Sequence, residues 1–541
     1  MQRLLIMAAA LMLLTLTVGC SPNTAADDDP AEKKTKEITL CESWDFELFY
    51  PVLTPGNSTN YGLTHYLINF YETLVNYEAG RIVPGLAETW SISEDRLVYT
   101  FNLRKGVKFS DGTDFNAAVV KKNLEMIPEL LGNFKESNAF VTTLFNEIKV
   151  IDEHTVEVHL TKPYYGALQD LTKPNPLGMM SAQAFNEDGT LAAKLANATL
   201  GTGPYKYEGR HTDSVYTFTK NPHYWGEEPD VDVFHIKVIP DNQAKALALR
   251  SGEIDMIFGA HRISYDGFNE FKQDPNYRTL ISTENVKTRF IGLNLAQAPF
   301  NDKNVRLAVN HAIDKEKICA NLFYDIETSA DTFLSPSLPY CDVALEPYEY
   351  NADKAKKILA EAGWHDADGD GVREKDGQKL AGEMLYVTNR TSAEELVLTL
   401  SSFFQAIGMD IKTTGIDFMA HMAESNKGNY DLVYTETYGI PYDPYITVNN
   451  MNSALEADYT VVQGLAHLNN ADEIIATLPA IVDEEEIRHT YDFILGEIHE
   501  NMALVPISYT KELAVFNAEK IAGYQFYGQP SHIDIAAIKL E

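Results

Sequence analysis

Basic residues are scarce in this chain. Its 44 lysines and arginines stand against 78 aspartates and glutamates, so the formal net charge is −34 at pH 7. Proteins that bind nucleic acids need a basic surface to displace counterions, so the composition excludes a nucleic-acid partner. The overall charge says little about a small solute, because the local charge of a pocket decides affinity.

Cysteine is also rare, with four residues in a chain of 541. None has the Cys-x-x-Cys spacing of a zinc site, so no structural zinc ion is predicted. Cys319 and Cys341 could form a disulfide if the chain is exported, because disulfides persist outside the cytosol. Cys41 would then be left without a partner.

Long apolar runs are missing except at the N-terminus, where Arg3 precedes an apolar run over 4–18 that ends in Gly19 and Cys20. A run of about 15 residues is shorter than the roughly 20 that cross a bilayer. A charged start, a short apolar stretch and a small residue before the cut predict a secretory signal over 1–19.

Cys20 resembles the lipobox cysteine of bacterial lipoproteins, whose thiol is lipidated. The resemblance implies export and a lipid anchor at the membrane, in the periplasm or at the cell surface. The stretch that follows has no large apolar side chain, so 20–37 is predicted to be the lipidated cysteine and a flexible tether. The alternative is an ordinary cleaved signal with a chance cysteine, because Thr17 stands where the lipobox prefers leucine.

Signatures of catalysis are missing too. The sequence has no Gly-x-Ser-x-Gly elbow and no Walker loop, and the His-Glu pair at His499 lacks the second histidine of a zinc protease. We therefore predict that the chain is not an enzyme and carries no cofactor.

Strand-like and helical patterns alternate along the remaining ~500 residues, a length that predicts two or three subdomains. Side chains alternate over 99–104 and 155–160 as in strands. Apolar residues recur at helical spacing over 304–320 and over 351–362, where Asn351 is a capping residue. The mixture indicates an α/β fold.

A series of short blocks resembles the extracellular solute-binding proteins of family 5, the receptors of peptide and nickel ABC importers. The blocks appear in the family's order at 86–90, 99–112, 201–205 (Gly-Thr-Gly-Pro-Tyr), 221–226 (Asn-Pro-His-Tyr-Trp-Gly), 252–255 and 312–315. The resemblance implies a two-lobed periplasmic-binding-protein fold, of type II and the large cluster with an extra subdomain.

The same resemblance implies how the lobes divide the chain. Lobe I is expected over 38–285 plus 508–541, with an inserted subdomain at roughly 80–200, and lobe II over 286–507. Two hinge crossovers join them and let them close on a small solute. The expected partners are that solute and the permease subunits of an ABC importer, and the protein is expected to be a monomer.

The loop at 437–444 points to the nickel-binding branch. Peptide receptors of the family carry an aspartate here that holds the peptide's ammonium, whereas this chain has Ile440. The nickel branch lines the cleft with aromatic residues at the positions of Tyr438 and Tyr442. We predict a receptor that captures nickel or a nickel chelate between two lobes; the alternative is a di- or oligopeptide-binding protein.

Two positions depart from the nickel branch. Asn175 lies where a cleft arginine is expected, and Glu456 replaces a histidine that can ligate the metal. A less cationic cleft is therefore expected, with both residues close to the solute.

His65 is the candidate that could replace the missing metal ligand. It follows Tyr61 on a helix that faces the cleft in the family, and a neutral imidazole suits Ni²⁺. A helix-surface histidine is the alternative. His261 and His421 are weaker candidates, and His421 is expected on an exposed helix face.

An acidic stretch at 366–374 resembles the first half of a calcium loop, with Asp366, Asp368 and Asp370 at alternate positions. Its twelfth position is Gly377, not the bidentate glutamate of a calcium loop. A solvated hairpin turn is favoured.

Overall fold

The computed structural model describes residues 35–46, 48–52, 61–78, 80–132, 135, 139–211, 214–388, 390–437, 444–455 and 458–541. Lys36–Glu541 form one compact unit. The predictions for the signal, for Cys20 and for the tether up to residue 34 lie outside the described residues, as do those for Tyr438, Tyr442 and Glu456. Among the described helices, none has the length and apolar character needed to cross a membrane.

The largest sheet has seven strands and takes one of them from near the C-terminus. Parallel and antiparallel pairs are mixed in it. Its strands, in spatial order, are Tyr277–Ile281, Leu513–Asn517, Met256–Phe258, Glu37–Glu42, Val233–Val238, Val215–Lys220 and Tyr205–His211.

A second sheet has six strands, and the chain enters and leaves it through neighbouring strands. These are Thr288–Leu293 and Leu504–Tyr509, which pair antiparallel. The spatial order is Thr328–Ser329, Leu504–Tyr509, Thr288–Leu293, Leu432–Glu436, Ala381–Val387 and Asp410–Ile416.

A smaller antiparallel sheet of four strands is inserted early in the chain. Its order is Ala87–Ile92, Val98–Leu103, Thr155–Leu160 and Phe145–Asp152. Three two-stranded ribbons complete the β structure: Val75–Glu78 with Arg81–Pro84, Glu374–Lys375 with Gln378–Lys379, and Ile521–Gly523 with Lys539–Leu540.

Helices connect and cover these sheets. The α-helices of the described residues are Tyr61–Thr64, Ala117–Leu131, Ala167–Asp170, Pro174–Leu177, Asn242–Ser251, Tyr265–Gln273, Lys303–Ala312, Lys315–Leu322, Ala352–Glu361, Ala393–Ala406, Phe418–Lys427, Tyr445–Asn449, Tyr459–Val462, Ala471–Thr477 and Glu484–Asn501. The predicted α/β character is confirmed.

Side-chain caps decide where several helices begin. Asn351 accepts a hydrogen bond from the backbone N–H of Lys354, so the predicted cap of that helix is confirmed. The helix predicted over 304–320 is two helices, because Asp314 accepts from the N–H of Lys317 and starts a second one.

The glycine block at 201–205 is a packing motif. A Cβ atom on Gly201 would lie 1.9 Å from the carbonyl oxygen of Phe70, so only glycine fits. Nearby, Trp225 donates its indole N–H to the carboxylate of Glu72 (2.8 Å), and Asn221 donates to the carbonyl of Gly203 (2.9 Å). These residues hold the blocks at 201–205 and 221–226 against the segment that contains Phe70 and Glu72.

The two crossovers between the large sheets lie side by side. The N–H of Thr510 donates to the carbonyl of Lys287 (2.8 Å), and the N–H of Val286 donates to the carbonyl of Thr510 (2.9 Å). The strand composition of the two sheets is compatible with the lobe boundaries at 285/286 and 507/508, which stay a prediction.

The proposed pairing of Cys319 with Cys341 is wrong in this structure. Cys319 is a free, buried thiol, and burial raises its pKa to about 12. It packs with the residues around the helix Lys303–Ala312, whereas Cys341 packs in a different apolar cluster.

The acidic stretch at 366–374 has the hydrogen bonds of a turn. Asp366 accepts from the N–H groups of Gly369 and Gly371. The ammonium of Lys379 contacts Asp370 and lies 3.6 Å from Asp368. Lys379 offsets only part of the charge of this cluster, in which Asp366, Asp368, Asp370 and Glu374 bring their carboxylate oxygens within 4.8 Å of one another, and the backbone hydrogen bonds of Asp366 are those of the predicted turn.

His421 is buried, so its predicted exposure is wrong. It is 5% exposed, and its Nε2 lies 3.3 Å from the carbonyl oxygen of Tyr434. Burial lowers its pKa to about 4, helped by the charge of Arg390.

This buried histidine predicts a pH dependence of stability. Between pH 6.5 and 4 the unfolded chain protonates the imidazole and the folded chain does not, so the free energy of unfolding should fall as pH falls. In urea unfolding, His421→Gln should reduce that slope by about 1.4 kcal/mol per pH unit. The control His489→Gln, at a side chain 73% exposed, should leave the slope unchanged. Equal slopes for wild type and His421→Gln would contradict the assignment.

Candidate functional site

Both large sheets contain parallel strands, and in each sheet the edge formed by the carboxyl ends of those strands faces the other sheet. In the first, Glu37–Glu42 runs parallel to Val233–Val238 and to Met256–Phe258. In the second, Ala381–Val387 runs parallel to Leu432–Glu436. The carboxyl ends of parallel strands meet at one edge, and α/β sheets bind ligands outside that edge.

Side chains that follow these strands touch across the gap. Asn242 comes after the strand that ends at Val238, and its amide donates to the hydroxyl of Thr391 (3.1 Å), which follows Val387. His261 comes after the strand that ends at Phe258, and its Nε2 lies 3.3 Å from Glu436 Oε2. A site between the sheets is therefore lined by both.

Arg289 and Glu327 form a fully buried ion pair at this edge, with both side chains 0% exposed. Arg289 Nε donates to Glu327 (2.9 Å), and its Nη1 donates to Glu436 (2.8 Å) and to the hydroxyl of Tyr434 (2.5 Å). Ser508 donates to the second oxygen of Glu327 (2.5 Å). The guanidinium thus ties together three neighbouring strands and the loop that carries Glu327.

The first sheet's side of the molecule also reaches this guanidinium. The hydroxyl of Tyr265 contacts Glu327 and lies 3.4 Å from Arg289 Nη2. Tyr265 belongs to the helix that follows the strand Met256–Phe258. The buried ion pairs therefore join both sides of the predicted cleft.

Glu436 is shared by several cations. Its Oε2 lies 3.4 Å from Lys287 Nζ and 3.6 Å from Arg390 Nη1, in addition to the contact with His261. Burial alone would raise the pKa of Glu436, but His261, Arg289 and Lys287 outweigh it and hold the pKa well below its usual range. Glu436 stays ionised at neutral pH.

Lys287 and Arg390 are only loosely paired with that carboxylate. Their side chains are 26% and 27% exposed, and neither distance is as short as a strong charged hydrogen bond. Both cations keep surface that an anionic group could reach. The expectation of a less cationic cleft thus misses two cations at this edge.

His65 and His532 form a reciprocal pair. His65 Nδ1 lies 2.8 Å from the carbonyl oxygen of Ser531, and His532 Nδ1 lies 3.0 Å from the carbonyl oxygen of Thr64. The N–H of Ile533 also donates to the carbonyl of His65 (2.9 Å). A carbonyl can only accept, so each ring carries its proton on Nδ1, and Nε2 keeps a lone pair.

Both imidazoles are neutral at physiological pH. Burial, followed by the charge of Arg262, lowers the pKa of His65 well below its ordinary value, and Lys287 adds to the effect. Burial lowers the pKa of His532 to about 4. Within the described residues, Nε2 of neither ring makes a hydrogen bond, and metal-binding histidines commonly have this donor arrangement on the other nitrogen.

The segment around His532 also approaches Asn175. Gln529 donates its amide to the hydroxyl of Thr172 (3.2 Å), three residues before Asn175. Asn175 Oδ1 is buried and has no hydrogen-bond partner among the described residues. An unsatisfied acceptor of this kind is compatible with contact to a bound solute.

The structure brings together part of the predicted site. His65, the backbone of Tyr61 and the segment next to Asn175 lie along one wall, and His261 lies at the facing edge. Motif comparison missed His532, Lys287 and Arg390. The run Ser531-His532 carries no metal-site spacing, so the sequence had no signal that would pair it with His65.

This arrangement can bind a metal ion that carries an anionic chelator. Two neutral imidazole nitrogens are good ligands for Ni²⁺ and related divalent metals. Lysine and arginine side chains at the facing edge can contact carboxylate groups.

Comparison with known proteins places the chain among solute receptors. A sequence model described as "Bacterial extracellular solute-binding proteins, family 5 Middle" matches residues 81–458. The nickel-binding periplasmic protein of Escherichia coli (strain K12) is 32% identical over 454 residues, which cover 83% of this chain and 85% of that protein.

A solved structure and a second relative are also similar to this chain. The crystal structure of NikA from Brucella suis in complex with Fe(III)-EDTA covers 93% of this chain and 100% of its own, with a TM-score of 0.86 and 31% identity. This likeness confirms the predicted two-lobed periplasmic-binding-protein fold. The glutathione-binding protein GsiB of Salmonella choleraesuis (strain SC-B67) is 29% identical over 358 residues, 66% of this chain and 65% of that protein.

The buried ion pairs predict a large effect of Arg289→Met on stability. The change leaves Glu327 and Glu436 without their main partner, and breaking a buried pair in this way costs about 3–5 kcal/mol. Urea unfolding measures the difference. Arg278→Met is the control, because Arg278 and Glu541 form an exposed pair with side chains 45% exposed that contributes about 1 kcal/mol at most. A loss below about 1 kcal/mol for Arg289→Met would be incompatible with this role.

Proposed function

We propose that this chain, which belongs to family 5 of the bacterial extracellular solute-binding proteins, captures nickel or a nickel chelate between its two lobes. It passes this cargo to the permease subunits of an ABC importer. Members of the family bind solutes, so the prediction that the chain is not an enzyme is confirmed. Nickel is the transported substrate here and not a cofactor.

The observation that carries the proposal is the fixed tautomer of His65. The carbonyl of Ser531 holds the proton on Nδ1, so Nε2 can donate its lone pair to a metal without first losing a proton. His532 has the same arrangement beside it. The identity with the Escherichia coli nickel-binding protein supports nickel as the metal.

The cations at the facing edge support a chelate over the bare ion. Lys287 and Arg390 are loosely held by Glu436 and partly exposed, so a carboxylate of the chelator can contact them. Free histidine is one chelator of this kind, since it offers an imidazole, an amine and a carboxylate.

A peptide is the second candidate. The match to a glutathione-binding protein favours it, because glutathione is a tripeptide with free carboxylates that the same cations could contact. Ile440 argues against it, since an aliphatic side chain cannot hold an ammonium group.

The location follows from the N-terminal sequence. We propose that Cys20 is lipidated and that 20–37 tether the body to the membrane, either in the periplasm or at the cell surface. The body acts as a monomer.

The nickel proposal predicts that both histidines are needed for binding. Calorimetry with Ni²⁺, with and without L-histidine, should show binding tighter than millimolar for wild type. His65→Ala and His532→Ala should each weaken it about 10- to 100-fold, the usual cost of losing a metal ligand or its support. His489→Ala, at an exposed histidine, is the control and should bind like wild type.

Two results would count against nickel. One is the lack of binding by wild type below millimolar Ni²⁺ under both conditions. The other is unchanged affinity in both histidine variants. In that case, native mass spectrometry of protein purified without refolding would support the peptide as the solute if the spectrum shows a bound peptide mass.

The anchor proposal predicts the behaviour of Cys20→Ala in a bacterial host. Wild type should partition into detergent with membranes, because its N-terminus carries acyl chains. The variant has no thiol to lipidate and should be recovered in the aqueous phase. Detergent partition of both proteins, followed by immunoblotting, measures this. Aqueous recovery of wild type would show an ordinary cleaved signal instead.

A further inference from the structure

A group of aromatic rings joins the inserted subdomain to lobe II. Phe140, Tyr164 and Tyr165 come from the subdomain, at or next to the four-stranded sheet. They meet rings from three separate parts of lobe II: Tyr340, Tyr445 and Tyr491. We call these six residues the aromatic clasp.

The rings contact one another edge to face. Phe140 and Tyr445 have centroids 5.0 Å apart, Tyr164 and Tyr445 5.9 Å, and Tyr165 and Tyr340 5.6 Å. These are favourable geometries for aromatic pairs. Within lobe II, Tyr340 stacks on Tyr491 at 5.6 Å, so the partner surface is itself ordered.

Two polar contacts fix the position of Tyr165 against lobe II. The hydroxyls of Tyr165 and Tyr491 lie 2.6 Å apart, and the backbone N–H of Tyr165 donates to the carbonyl of Pro479 (3.2 Å). Tyr164 and Tyr445 are each 1% exposed. The centre of the contact, at Tyr164 and Tyr445, is therefore shielded from solvent, whereas Tyr165 and Tyr340 lie partly exposed at its rim.

The six clasp residues are not among the residues placed around Arg289 and His65, although Tyr445 follows directly on the loop at 437–444 that is predicted to line the cleft. The clasp contains no histidine and no charged side chain. Its rings connect two segments that belong to different predicted lobes. If the predicted lobes part in the solute-free protein, these ring contacts are broken, so their energy favours the closed arrangement.

We propose that the aromatic clasp is a latch that sets how long the closed protein retains its solute. A receptor's apparent affinity depends on the fraction of molecules that are closed. Each aromatic pair of this kind shifts an equilibrium by about 2- to 12-fold. Tyr165 is a positioning residue in this scheme, because it acts on the solute only through closure. The inference rests on the two-lobed fold and not on the identity of the solute.

Tyr165→Ala tests the latch. Stopped-flow and calorimetry with Ni²⁺ plus L-histidine, and separately with trialanine, should show solute dissociation about 10-fold faster and association unchanged, since a latch acts on the closed state. Tyr165→Phe, which loses only the hydroxyl contact, should give a smaller increase. Tyr350→Ala is the control, at a tyrosine 48% exposed outside the clasp.

The results of these experiments distinguish a failure of the latch from a failure of the proposed function. Unchanged dissociation in Tyr165→Ala overturns the latch, even if the melting temperature falls. If wild type binds neither probe, the proposed function fails, and small-angle scattering of the solute-free proteins tests the latch alone. A larger radius of gyration for Tyr165→Ala than for wild type then supports the latch, and equal radii overturn it.

Discussion

The pairing of one buried guanidinium with two carboxylates organises the edge at which the two large sheets meet. Arg289 has no contact with solvent, so its charge must be matched inside the protein. Glu327 and Glu436 match it, and they come from a loop and from the end of a neighbouring strand. Because both carboxylates must stay beside Arg289, the ion pairs hold the loop of Glu327 and the strand end of Glu436 together where the lobes meet. Tyr265 extends the same network to the other side.

The geometry of the site follows from that edge. Once Glu436 is fixed and ionised, it holds Lys287 and Arg390 near one oxygen, so cations collect in a protein whose overall charge is strongly negative. His261 contacts the same oxygen as a neutral ring, because burial lowers its pKa to about 4. The opposite wall is built differently. There, backbone carbonyls set the tautomers of His65 and His532, and burial keeps both rings neutral. Neutral imidazoles and loosely paired cations together suit a metal that arrives with an anionic chelator.

The sequence was sufficient for features that depend on local pattern or on family blocks. The α/β character, the Asn351 cap and the two-lobed fold could all be predicted in this way. Features that depend on distant residues could not. His532 lies 467 positions from His65, and only the folded chain shows that each ring bonds a carbonyl next to the other. The burial of His421 was missed because helical spacing does not show what covers a helix, and the separate cores of Cys319 and Cys341 were missed for the same reason.

Anomalous diffraction at the nickel edge, from crystals grown with Ni²⁺ and L-histidine, shows directly whether nickel binds between the lobes. We expect one strong peak between the lobes, within coordination distance of His65 Nε2, with chelator density extending toward Lys287 and Arg390. A cleft without a nickel peak, or a peak only on the outer surface such as at the acidic turn of Asp366, would contradict this expectation.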